Sequence, residues 1–256
     1  MPDIFADSKI RLSQAKRHIV VLKREIRTFL ENYTSKTHII EGDPSDSSYF
    51  LHKIKITESP TEEIVAYATD TIDNLRAALD LAWWNLAVTA GFVKPYIESK
   101  FPFADNTTKF DSMLSRGFKD FSQDVLTIPM RFKPYKGGDD LLWALNRICA
   151  TNKHRLLPLE IIRYRKIEGQ LTKWGPAEVP ENMGWDSAKK EIVFLRAHRH
   201  TFIESHIKVS LDIAFHESIE VVGSKPVVAT LNTLVDKVEQ ILLTLEDTAL
   251  RLDLIS

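Results

Sequence analysis

"HIKVSLDIAFHES", residues 206–218, alternates for most of its length: Ile207, Val209, Leu211, Ile213 and Phe215 are separated by Lys208, Ser210 and Asp212, and His216 follows. Successive side chains of a strand point to opposite faces, so this pattern predicts a strand with one buried and one wet face. A sheet with a wet face is antiparallel, because parallel sheets are covered on both sides. The other strongly periodic segments of the chain are helical. This strand, given partners, therefore makes the fold α+β rather than an all-helical bundle.

Working outward, "PLEIIRYRKIEG" (158–169) and "EIVFLRAHRH" (191–200) supply two such partners. Farther upstream, "THIIEG" (37–42) and "YFLHKIKIT" (49–57) flank the turn-forming "GDPSDSS", which predicts a hairpin. In its second strand Phe50, His52, Ile54 and Ile56 share the inner face, and Lys53 and Lys55 take the other.

Helices frame these strands. Leu12, Ala15, Ile19, Leu22, Ile26, Phe29 and Tyr33 recur at three- and four-residue steps, as do Val228, Leu231, Val235, Val238, Leu242, Leu245, Ala249 and Leu252. The two stripes match in length, so helices over 8–33 and 226–252 are predicted to pack side by side. "SPTEE" announces another helix, with Ser59 as its cap, Pro60 in the first turn and Glu62 completing a capping box. From Leu75 to Val88 its apolar residues fall all round, which marks a buried helix. Short helices are expected near 107–115 and 118–127, and a longer one from Asp139 or Asp140 to before Pro158. The expectation is one α+β domain over 1–256, with four main helices, the long N- and C-terminal ones paired, and an antiparallel sheet inserted.

The 256 residues carry a net charge of −1, so no global field attracts nucleic acid, and any such site must be a local patch. One cysteine, Cys149, forms no internal disulfide, which points to a reducing compartment. The start, "MPDIFADSKIRL", has no apolar leader core, and no apolar run is long enough to span a bilayer. The expected location is the cytoplasm, with no membrane partner.

The polar cluster that stands out is "RICATNKHRLL", residues 147–157. A helix turns about 100° per residue, so Arg147 and His154, seven apart, lie within about 20° of each other. A guanidinium grips phosphate oxygens in pairs, and an imidazole titrates near neutrality. Arg147 and His154 are thus the candidate catalytic residues, with Asn152, Lys153 and Arg155 as candidate binding residues. The same basic groups would also suit the negative end of a helix. Asp73, Arg76 and Asp80, spaced three and four apart amid Ala, Leu and Trp, are expected to form a structural network that joins them to Arg155 or His154.

Arg196, His198 and His200 would share a strand face, and His206 or Glu204 could complete a metal set; the alternative is a solvated strand end. No HExxH or cysteine-rich spacing supports a metal, and none is expected. "YKGGDD" matches neither phosphate-loop pattern, no GxSxG elbow occurs, and Cys149 reads as a core residue. No cofactor is expected.

"NLRAALD" (74–80), followed by "NKHRLL" (152–157), resembles a group of uncharacterised bacterial proteins with an NLRxALD helix and a DKHR-type helix end. Asn152 stands here where Asp is usual there, and Leu81 where His often follows. That resemblance implies a fold and a bacterial source. Arg147 and His154 also resemble the Arg-x6-His signature of HEPN-type ribonucleases and toxins, although Ile148 takes a place that is often polar there. This second likeness implies metal-independent RNA cleavage, with RNA as partner and two copies of the motif joined across a homodimer. The competing expectation is a non-catalytic binding or accessory protein, its small-molecule ligand unspecified, in which the same polar residues act as struts.

Overall fold

The structure, a computed structural model, describes residues 3–32, 36–56, 58–91, 100–118, 121–152, 156–179, 185–186 and 189–255, without the side chains of 36–37, 162–171, 185 and 205–210. The chain is α+β and divides into two compact units. Met1–Glu25, Glu62–Pro158 and Phe215–Ser256 form the first, and Ile26–Thr61 with Leu159–Ala214 form the second.

The first unit is helical. It contains most of α1 (Ala6–Glu31), and all of α2 (Glu62–Thr89), α3 (Thr107–Gly117), α4 (Gln123–Phe132), α5 (Asp140–Asn152) and α6 (Val227–Arg251). Leu12, Ala15, Ile19 and Leu22 of α1 are buried, as are Leu231, Val235, Val238, Leu242, Leu245 and Ala249 of α6. The terminal helices are paired by Lys9–Glu246 at 2.6 Å and Lys16–Glu239 at 2.7 Å. These pairs step forward along α1 and backward along α6, so the two helices run antiparallel.

α2 is the central helix. Ile64, Ala68, Ile72, Leu75, Ala78, Leu79, Ala82, Trp83 and Leu86 are all fully buried. Trp83 is ringed by Phe101, Phe118 and Phe121, the last stacked on it at 5.4 Å. That packing explains a shift from expectation. Phe118 and Phe121 serve as aromatic filler, and α4 starts only at Gln123, with the Ser122 hydroxyl accepting from Val125 N at 3.4 Å. α2 likewise begins at Glu62, so Ser59 and Pro60 lie before the helix instead of capping and opening it.

The second unit holds the sheet. β1 (Lys36–Gly42), β2 (Tyr49–Ile56), β6 (Glu191–His198) and β4 (Ala177–Glu178) follow the order β1-β2-β6-β4, every pair antiparallel, and β5 (Trp185–Asp186) also pairs with β6. β3 (Leu159–Trp174) and β7 (Phe202–Phe215) form a separate two-stranded sheet. Ile54, Ile56, Ile161, Ile192, Phe194 and Leu195 make the core of this unit. At the end of β7 the alternation lapses: Ala214 is buried along with Ile213 and Phe215.

Lys53 is also buried, against the expectation of a wet face. A bulge between His52 and Lys53 shifts the register against β6 and turns Lys53 toward the Glu41 and Glu191 carboxylates, which pair with it.

One ion cluster ties the β1–β2 turn to β6. The Ser45 hydroxyl, the Arg196 guanidinium and the Ser45 N–H all donate to Asp43 and hold its carboxyl down to about 2. The unfolded value is about 3.9. This contribution to stability is therefore complete above that pH and is lost as the pH falls through about 2. Wild type should melt above Asp43→Asn at pH 6, and the gap should close as the pH approaches about 2. A gap independent of pH would contradict the assignment.

Candidate functional site

α5 carries the candidate site. Its start is fixed by Asp139, whose carboxylate accepts from Leu141 N at 3.1 Å and Leu142 N at 3.0 Å and also pairs with Lys237 of α6. Leu142, Ala144, Leu145 and Ile148 face the core. The opposite side of the helix presents Arg147 to solvent.

The surface around the exposed Arg147 is concave. Arg147 lines a pocket of about 550 Å³ within the first unit, together with Trp143, Ile148, Thr151 and Asn152 of α5. Leu156, Leu157 and Pro158 continue the lining beyond the helix. The remaining wall comes from a distant part of the sequence: His216, Ser218, Ile219 and Glu220, which follow β7.

Backbone hydrogen bonds hold this wall. His216 N donates to Pro158 O at 3.1 Å, which joins two lining segments. Ile219 N donates to His216 O at 2.9 Å, and Gly223 N to Ile219 O at 2.7 Å. Val221 and Ser224 take left-handed φ values of 74° and 58°, a costly conformation for a β-branched valine. Strain of this kind beside a pocket is common where a loop shapes a site.

The polar inventory of the pocket is weighted toward donors. Arg147 has no ion pair among the described residues; its guanidinium lies 5.8 Å from the Trp143 ring centroid. Arg147 helps to hold the Asp105 carboxyl low, but that acid is chiefly bonded to Lys109. Asn152 Nδ2 is buried without a hydrogen-bond partner. Glu220, the acid in the lining, pairs with Lys136. An unpaired buried donor costs about 1–3 kcal/mol, so the pocket wall at Asn152 carries an unsatisfied amide.

Asp73, Arg76 and Asp80 are not among the residues that line this pocket. Lys153, His154 and Arg155 lie outside the described residues. Asp73 is exposed, so the expected three-residue network reduces to a pair among the described residues. Arg76 Nη1 lies 2.8 Å from Asp80 Oδ1, a charge contact whose angle is poor for a hydrogen bond. Asp80 also accepts from Phe101 N at 2.9 Å, and the guanidinium sits 4.3 Å over the Phe103 ring. Burial lowers the Arg76 pKa, and Asp80 opposes that shift.

The histidine-rich stretch does not form the expected face. His200 lies in the turn after β6, and Arg196 is taken up by Asp43, Glu178 and the Tyr49 ring. The His206 side chain lies outside the description. Among the described residues no group of three or more acidic, histidine or cysteine side chains could hold a metal, and no helix is long and apolar enough to cross a membrane.

His216 and Ser218 are the site residues that sequence reasoning missed. His216 reads as the next polar position of the β7 alternation. The available signal was the turn-rich "VGSKP" at 222–226, which implies that the chain doubles back directly after the strand. Comparison with protein-family models, curated proteins and solved structures gives no match.

Proposed function

We propose that the protein binds a phosphate-bearing ligand in the α5 pocket, and that its activity there is metal-independent cleavage of RNA. The observation that carries this reading is Arg147, a guanidinium without an ion pair among the described residues, set in a concave wall beside the unpaired Asn152 amide. Arginine offers a planar fork of donors matched to phosphate oxygens. Lysine and arginine at 153 and 155 add positive charge to the same chain segment.

In this mechanism His154 takes the proton of a ribose 2′-hydroxyl. The O2′–P bond forms as the P–O5′ bond breaks, and the leaving oxygen takes a proton from solvent. Arg147 stabilises the charge that builds on the phosphoryl oxygens. The resemblance to HEPN-type ribonucleases supports this division of roles. It extends the reading to a homodimer, and a cytoplasmic, bacterial setting fits it.

Purified protein should cut RNA in excess EDTA and leave 2′,3′-cyclic phosphate ends. His154→Ala should abolish cutting without lowering the melting temperature. Lys153→Ala should mainly weaken binding, and more so at low salt. The apolar part of the lining, Trp143, Ile148, Leu157 and Ile219, favours one second reading, a non-catalytic binder of a small phosphorylated ligand. Binding of phosphorylated probes with no cleavage would select that reading. Absence of both would reject the proposal.

A further inference from the structure

We infer that His216 is a ligand-contacting hydrogen-bond donor, and that the pocket takes a terminal phosphate monoester attached to an apolar, ring-bearing body, as in a mononucleotide. The inference rests on the reading of the α5 pocket as a phosphate site and names its ligand class.

Ser218 fixes the proton on the His216 ring. Its backbone N–H donates to His216 Nδ1 at 3.2 Å, and its hydroxyl lies 2.8 Å from the same nitrogen. A backbone N–H can only donate, so Nδ1 is an acceptor and carries no proton. The neutral ring then bears its proton on Nε2, which has no partner among the described residues. The backbone of His216 is held through both its N–H and its carbonyl, so the ring is placed before any ligand arrives.

Arg147, Asn152 and His216 thus line the pocket from two separate stretches of chain, Arg147 exposed with its guanidinium fork, Asn152 with its Nδ2 covered and unpaired, and His216 with Nε2 left over once Nδ1 accepts from Ser218. The lining carboxylate, Glu220, is held by Lys136. A phosphate monoester presents three terminal oxygens to the Arg147 fork and the His216 ring, and it would take the place that the scissile phosphate takes in the cleavage reading, so a free monoester competes with RNA for the pocket. The volume of about 550 Å³ exceeds what a bare phosphate fills. Apolar walls at Ile148, Leu157 and Ile219 suit a flat ring. The same chemistry occurs in a free mononucleotide and at the 5′-phosphorylated end of an RNA strand.

Calorimetric titration of the full chain with adenosine 5′-monophosphate, adenosine, and a short oligoribonucleotide with a 5′-phosphate or a 5′-hydroxyl distinguishes these sources. Wild type should bind the monophosphate and not adenosine. Preference for the 5′-phosphorylated oligonucleotide over the free monophosphate assigns the site to RNA ends, and the opposite order assigns it to free nucleotides. His216→Ala should weaken monophosphate binding by roughly tenfold or more, the scale of one hydrogen bond to a charged group. His216→Gln, which can place an amide donor near the Nε2 position, should recover most of the loss. Nitrogen-15 spectra of the imidazole should show Nδ1 unprotonated, and the Nε2–H signal should move when ligand is added. A protonated Nδ1, or His216→Ala and His216→Gln both binding like wild type, overturns the inference and leaves the phosphate reading standing. Wild type that binds neither the monophosphate nor either oligonucleotide overturns both.

Discussion

Arg76→Ala should cost about 3 kcal/mol of stability, the lower end of the range for breaking a buried ion pair. The Arg76 and Asp80 side chains are 11% and 27% exposed, so removing the guanidinium leaves a carboxylate with limited access to water. The lower end applies because Asp80 keeps the Phe101 N–H as a donor. Loss of the contact with the Phe103 ring adds to the cost. For a chain of this size the melting temperature should fall by roughly 6–12 °C. A double variant, Arg76→Ala with Asp80→Ala, should lose less than the sum of the two single changes, because they share one interaction. An unchanged denaturation midpoint for Arg76→Ala would show that the pair holds nothing together.

Gly223→Ala should cost about 2 kcal/mol, within the range for forcing an atom into a filled space. A Cβ at this position would lie 2.6 Å from Glu217 O and 2.8 Å from Ile219 O. Both are backbone atoms, so no side-chain rotation relieves the clash. The segment has to move, and Ile219 belongs to the pocket wall. Gly223→Ala should therefore also weaken ligand binding, although residue 223 is not among the lining residues. Unchanged stability and binding would mean that the wall yields easily.

Much of the architecture follows from periodicity that can be read directly. The stripes from Leu12 to Leu22 and from Leu231 to Ala249 are buried as their spacing requires. The hairpin at 36–56 and the strands over 159–174, 191–198 and 202–215 appear where alternation or β-rich composition places them. The failures have physical causes. Asp73 sits three residues before Arg76, a spacing that permits pairing, but its own side chain is on the exposed side of α2. The bulge that buries Lys53 has no glycine or proline to announce it, and the Glu41 and Glu191 carboxylates that make the burial tolerable come from other strands.

The site was only half legible for a similar reason. Arg147 and Asn152 belong to one conspicuous polar stretch. His216 reaches the same pocket because its N–H meets Pro158 O, a contact that no local pattern records. Helix and strand periods describe which face a residue takes. They do not describe which distant turn folds over that face.

The central claim is that Arg147 is held free for a phosphate and does not support the fold. Arg147→Ala tests it when melting temperature and RNA cleavage in EDTA are measured on the same sample. An exposed residue away from the core should change stability by no more than about 0.5 kcal/mol. The account predicts an unchanged melting temperature together with loss of cleavage and of phosphate-ligand binding. A marked fall in melting temperature, or cleavage and binding equal to wild type, would contradict it.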